Sequence, residues 1–196
     1  STDGMKQLTN EMKSNSGLIP REKKTPQLDS AVSGNIHTPA RGNCFYWALE
    51  AHLRALGLCD TSSSEETSRN GAELLRQFLV DAMRRLGKDT EVGSGFDDGE
   101  SMTLESLAAS QMSRKEEVAF KRQKQQGSKF EYMLNLQKKD EAWATTLMVF
   151  GAALVFQVVI HVTSDASEEH CFTAWPVGKG TPKGEFTLVH YASPGK

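Results

Sequence analysis

The run "RGNCFYWALEAHL", residues 41 to 53, sets a cysteine directly after a Gly-Asn pair and at the start of an amphipathic stretch. A thiol is a poor nucleophile until it becomes a thiolate. A helix N-terminus favours that state by placing partial positive charge and unpaired N–H groups beside the sulfur. Gly42 permits a tight turn ahead of the helix. The N–H groups around Asn43 and Cys44 can then face the oxyanion that forms when a thiolate attacks a carbonyl. The same spacing also suits a small buried structural cysteine. Nucleophile and packing residue both remain open for Cys44 on these residues alone.

The other residue types that do chemistry read more simply. His52 lies on the apolar stripe of the Cys44 helix as a packed or rim residue, and His161 interrupts a strand and faces a polar layer. His170 follows Glu168 and Glu169, but a further ligand at metal-binding spacing is lacking, so no metal site is expected. Cys59 and Cys171 read as structural thiols, and Trp143 and Trp175 as core anchors. The stretch "VGSGFDDGES" is a loop. It has neither the lysine and strand–loop–helix setting of a phosphate cradle nor the ligand spacing of a calcium loop.

The elements that must position these residues follow from periodicity. Residues 1 to 30 are polar with no sustained apolar period and are expected to form a flexible N-terminal arm, leaving 31 to 196 as the folded domain. A first helix spans about 44 to 56, with Phe45, Ala48, Leu49, His52, Leu53 and Leu56 at helical spacing and Gly57 as its C-cap. "TSSSEETS" reads as a loop. A second helix is expected over 71 to 86, started by a capping box of Asn70 and Glu73, with Leu74, Leu75, Phe78, Leu79, Ala82, Met83 and Leu86 on one stripe. Residues 103 to 138 read as helical, and the charged "SRKEEVAFKRQKQQ" within them as a solvated face or mobile insertion. "DEAWATTLMVFGAAL" is a further helix. Strands follow at 156 to 163, 170 to 175 and 185 to 191. Helices first and a β cluster afterwards define an α+β class, an α/β sandwich with a small central sheet flanked by helices.

Composition excludes several function classes. The chain has 196 residues, 38% of them hydrophobic, enough for a core in one domain. A net charge of −2 argues against a general nucleic-acid partner. The longest apolar run, 147 to 162, is too short to span a bilayer and contains Gln157 and His161, so no membrane partner is expected. Three cysteines without CxxC spacing suit reduced thiols in a cytoplasmic, reducing compartment.

"RGNCFYWAL" resembles the nucleophile motif of the OTU (ovarian tumour) family of cysteine proteases, usually Asp-Gly-Asn-Cys-Phe/Leu-Phe/Tyr-Arg-Ala. "WATTLMVFGAALVFQVVIHVTS" is similar to the family's Trp-led helix and central strand, and "WPVGKGTPKGEFTLVHYASPGK" to its closing β segment. The resemblance covers residues 36 to 196 in the family's order. It implies a papain-type cysteine protease fold, no metal or other cofactor, and attack on the isopeptide bond of a ubiquitin conjugate.

This chain departs from the family pattern in three ways. Arg41 stands where the family has Asp, which removes one group able to orient a histidine. The family's catalytic His-Tyr pair fits two registers. In one, His190 and Tyr191 are the pair and His190 is the general base. In the other, "FTLVHYASPGK" leads up to the pair and the chain stops just before its histidine. In the first register Ala192 occupies the place of the acid, so the set is a Cys–His dyad.

The function expected is a thiol-dependent deubiquitinase, monomeric and acting on ubiquitin or a ubiquitin-like modifier. Cys44 and His190 would be catalytic, with the backbone of Arg41, Gly42 and Asn43 holding the oxyanion. The alternatives are a catalytically impaired ubiquitin-binding module and a protease domain of a viral or retroelement polyprotein.

Overall fold

The computed structural model describes residues 43–59, 65–93, 102–123, 127–139, 142–164, 171–176 and 180–190, with the side chains of 65–70 left aside. Arg41, Gly42, His170, Tyr191, Ala192 and the arm expected over residues 1 to 30 lie outside the described residues. Helix α1 spans Cys44–Ala55 and buries Tyr46, Leu49 and Leu53, one stripe at spacings of three and four. It ends in a Schellman motif. The N–H of Leu58 donates to the Leu53 carbonyl at 2.8 Å and that of Gly57 to Arg54 at 2.9 Å. Gly57 sits at φ 70°, the left-handed conformation the motif requires.

Helix α2, Glu65–Leu86, begins ahead of the expected start, so Asn70 lies within the helix rather than at its N-cap. Its buried stripe is Ala72, Leu75, Arg76, Leu79, Val80 and Met83. Leu74 and Phe78, expected on that stripe, are 68% and 49% exposed, and Leu86 is also exposed.

A short antiparallel pair follows, β1 (Glu91–Val92) and β2 (Met102–Thr103). The helical region then divides into three: α3 (Leu104–Gln111), α4 (Arg114–Arg122) and α5 (Lys129–Gln137). The divisions have local causes. Thr103, Ser113 and Ser128 each accept an N–H of their own first turn, and Met112 and Gln123 are extended. The charged stretch expected to be a solvated face is α4, which buries no residue.

Helix α6, Thr146–Phe156, is buried from Leu147 through Leu154. Trp143 lies ahead of it at 58% exposure and is no core anchor. Its carbonyl accepts from Gln137 Nε2 at 3.0 Å, which fixes its backbone rather than its ring. Gln157 turns the chain in the left-handed region, φ 56° and ψ 48°, into the main sheet.

That sheet has the order β4-β3-β5. Central β3 (Val158–Ser164) pairs antiparallel with β4 (Phe172–Ala174) and parallel with β5 (Gly184–His190). Val158, Ile160, Ala174 and Phe186 enter the same core as α1, α2 and α6. The architecture is mixed, several helices with a small sheet, in keeping with the α+β expectation.

Candidate active site

Cys44 is the first residue of α1 and is half-buried. Burial pushes its thiol pKa up from the ordinary value, by disfavouring the thiolate. The N–H groups of Phe45 and Cys44, directed at the sulfur, and the charge of Arg76 act the other way. Asn43 stands at the N-cap, yet its side chain caps nothing. Its Oδ1 instead accepts from Arg76 Nε at 3.1 Å and from Arg76 Nη2 at 2.6 Å.

Arg76 is fully buried. Its Nη1 donates to the carbonyls of Gln137 and Lys139, at 3.0 and 2.9 Å, at the end of α5. Its Cζ lies 4.6 Å from the centre of the Tyr46 ring. Sequence reasoning missed this residue. The signal was there: Arg76 is the one charged residue on the buried stripe of α2, once the stripe is phased on Ala72, Leu75, Leu79 and Val80.

His190 ends β5 and is exposed. Its side chain lies on the sheet face of Phe186 and Leu188, because strand residues two apart share a face. Two contacts fix how α1 crosses that face. The His52 ring stacks on Phe186 with centroids 4.4 Å apart and planes 6° from parallel. A Cβ added at Gly184 would meet the tip of the Leu56 side chain at 2.5 Å, so Leu56 packs directly over that backbone. As α1 advances from His52 to Leu56, β5 runs back from Phe186 to Gly184. The two elements are therefore antiparallel.

The other direction along the pair leads to the candidate residues. Cys44 precedes His52 by about 12 Å of helix rise, and His190 follows Phe186 by about 13 Å of strand. These are path lengths along each element from the one stacked contact, His52 on Phe186. Burial, the two N–H groups and Arg76 are what act on the thiol.

Among the described residues the other histidines, His52 and His161, do not join this site. Burial lowers the His52 pKa. His161 Nδ1 lies 2.9 Å from Thr173 Oγ1 and its Nε2 2.5 Å from Glu185 Oε1, a polar chain across all three strands. Cys59 and Cys171 are half-buried like Cys44, and Cys171 Sγ accepts the Ser164 N–H at 3.4 Å. Among the described residues no group of three His, Cys, Asp or Glu side chains is arranged to hold a metal ion. None of the described helices is long and apolar enough to cross a membrane.

No family model and no curated protein matches the chain. Among solved structures the chain is similar to the Hazara virus OTU, determined bound to ubiquitin. The identity is 21%, the TM-score 0.41, and the match covers 80% of this chain and 74% of that one. A likeness of this depth assigns neither family nor activity.

Proposed function

We propose that the chain is a cysteine-type deubiquitinase of OTU kind, hydrolysing isopeptide bonds of ubiquitin or a ubiquitin-like modifier. The observation that carries the reading is Cys44 at the first position of α1, with the N–H groups of Cys44 and Phe45 directed at its sulfur. The reading takes the register in which His190 itself is the general base.

In this mechanism His190 takes the Cys44 proton, and the thiolate attacks the carbonyl carbon of the modifier's C-terminal glycine. The oxyanion is held by backbone N–H groups of the segment from Arg41 to Cys44. The imidazolium returns the proton to the departing lysine amine. Water, deprotonated by the same histidine, then releases the modifier and restores the thiol. The raised thiol pKa gives the base its purpose, because little thiolate forms at neutral pH without one. Arg41 in place of an acid leaves a dyad rather than a triad. The enzyme works as a monomer in a reducing compartment, where its three cysteines stay reduced.

Ubiquitin carrying a C-terminal electrophile tests the nucleophile. One adduct is expected, at Cys44, and an adduct that survives Cys44→Ala would overturn the assignment. With a ubiquitin dimer as substrate, His190→Ala is expected to lower turnover about 10²- to 10⁴-fold. Binding of ubiquitin without adduct or turnover would instead identify a non-catalytic module, the reading that the burial of Cys44 favours.

A further inference from the structure

Asparagine is among the best N-cap residues because its side-chain oxygen accepts an N–H from the first turn of the helix it precedes. Asn43 occupies that position and does not do so. Its oxygen is held by a two-pronged donation from a guanidinium 33 residues further along the chain. A guanidinium only donates, so the amide must present its oxygen to Arg76. The cap is thereby diverted, and the first N–H groups of α1 are left facing the Cys44 sulfur.

The surroundings of Arg76 suit this task. Burying a guanidinium is costly unless its donors are satisfied. Here Nη1 meets two carbonyls at the negative end of α5, and the cation sits over the Tyr46 ring. Asn43 and Tyr46 lie on either side of Cys44 in α1. The guanidinium thus grips the helix before and after the sulfur, from α2 and α5 behind it.

We propose that Arg76 is the positioning residue of the Cys44 site: it draws the Asn43 side chain away from the start of α1 and so keeps the first N–H groups of that helix for the sulfur and the reacting carbonyl. The proposal rests on Cys44 as the nucleophile, but it is tested without ubiquitin. A plain packing role for Arg76 predicts only a loss of stability. A positioning role also predicts a change in thiol chemistry that can be reversed at Asn43.

The experiment is alkylation of Cys44 by iodoacetamide across pH 6 to 10, read by mass spectrometry on the intact protein, with thermal melting alongside. Arg76→Lys keeps the charge and loses the fork, which frees Asn43 to cap. Alkylation at neutral pH is expected to fall about tenfold, with the midpoint of the profile moving up. Adding Asn43→Ala removes the competing cap, and the double variant should recover most of that rate without gaining stability. A wild-type profile in Arg76→Lys, or a double variant as slow as the single one, would overturn the proposal. Should Arg76→Lys fail to fold, Asn43→Ser serves, since Arg76 keeps its carbonyl and ring contacts. A serine oxygen caps well and is too short to keep the fork, so the same loss is expected. An unchanged profile there would overturn the proposal equally. Loss of deubiquitinase activity as a reading would leave these measurements standing.

Discussion

Helices α1 and α4 both begin at a polar residue, and they are secured there in opposite ways. Ser113 caps α4 through its own first turn: its Oγ accepts the Glu116 N–H at 3.2 Å, and Glu116 accepts the Ser113 N–H at 2.7 Å. Everything needed lies within four consecutive residues, and the helix buries none of its own. At the start of α1 the residue best able to cap is withheld, and the fixing group arrives from α2. A helix held by its own sequence is free to lie at the surface. A helix held by the core can leave its first N–H groups available for chemistry.

Breaking the long-range tie should have the largest effect. Arg76→Met removes a buried donor set and strands the Asn43 oxygen and two carbonyls. Urea denaturation is expected to show a loss of about 3 kcal/mol or more. A loss below about 1 kcal/mol would mean that the start of α1 is held some other way.

The local tie should cost less. Ser113→Ala removes one half of the capping box, worth about 1 kcal/mol to α4. Because α4 buries nothing, that loss should appear as faster amide exchange within Arg114–Arg122, with the global unfolding midpoint nearly unchanged. Equal acceleration of exchange in α1 and α4 would erase the contrast between them.

The smallest effect concerns pH. Burial against Phe186 holds the His52 pKa below its ordinary value, so the unfolded chain takes up that proton first as pH falls. This contribution to stability is complete above about pH 6.5 and is lost as pH drops from there through the lowered folded value. His52→Phe keeps the ring stack and removes the titration. Melting temperatures at pH 7.5 and pH 5.5 should then lie closer together than in the wild type, by about 2 °C. A gap as wide as in the wild type would place the acid sensitivity elsewhere.

What could be read in advance follows the same division between local and distant causes. Helix α1 and its Gly57 stop were legible because apolar spacing and a C-cap glycine are neighbours in sequence. The three strands of the main sheet were legible to within a residue or two, except that Phe156 belongs to α6, because the left-handed turn at Gln157 has no glycine to announce it, while the two-residue strands β1 and β2 were not read at all. The single helical stretch over 103 to 138 misled because Thr103, Ser113 and Ser128 were not taken as cap positions. The stripe of α2 was phased on its bulky residues, so it enlisted Leu74 and Phe78 and passed over Arg76, whose acceptors lie on two other helices. Cys44 and Asn43 stood out by their spacing. The diversion of Asn43 was not legible, since no pattern around residue 43 announces a donor from residue 76.

The parallel pairing of β5 with β3 bears on how the molecule comes into being. Among the described elements α1 is translated first and β5 last, and β5 takes its place by pairing with β3, whose residue Val158 faces Gly184. A nascent chain complete through β4 already contains the cysteine and its buried arginine, but it still lacks the strand that ends in His190. The proposed thiol chemistry therefore stays silent on the ribosome until the strand that ends in His190 has emerged.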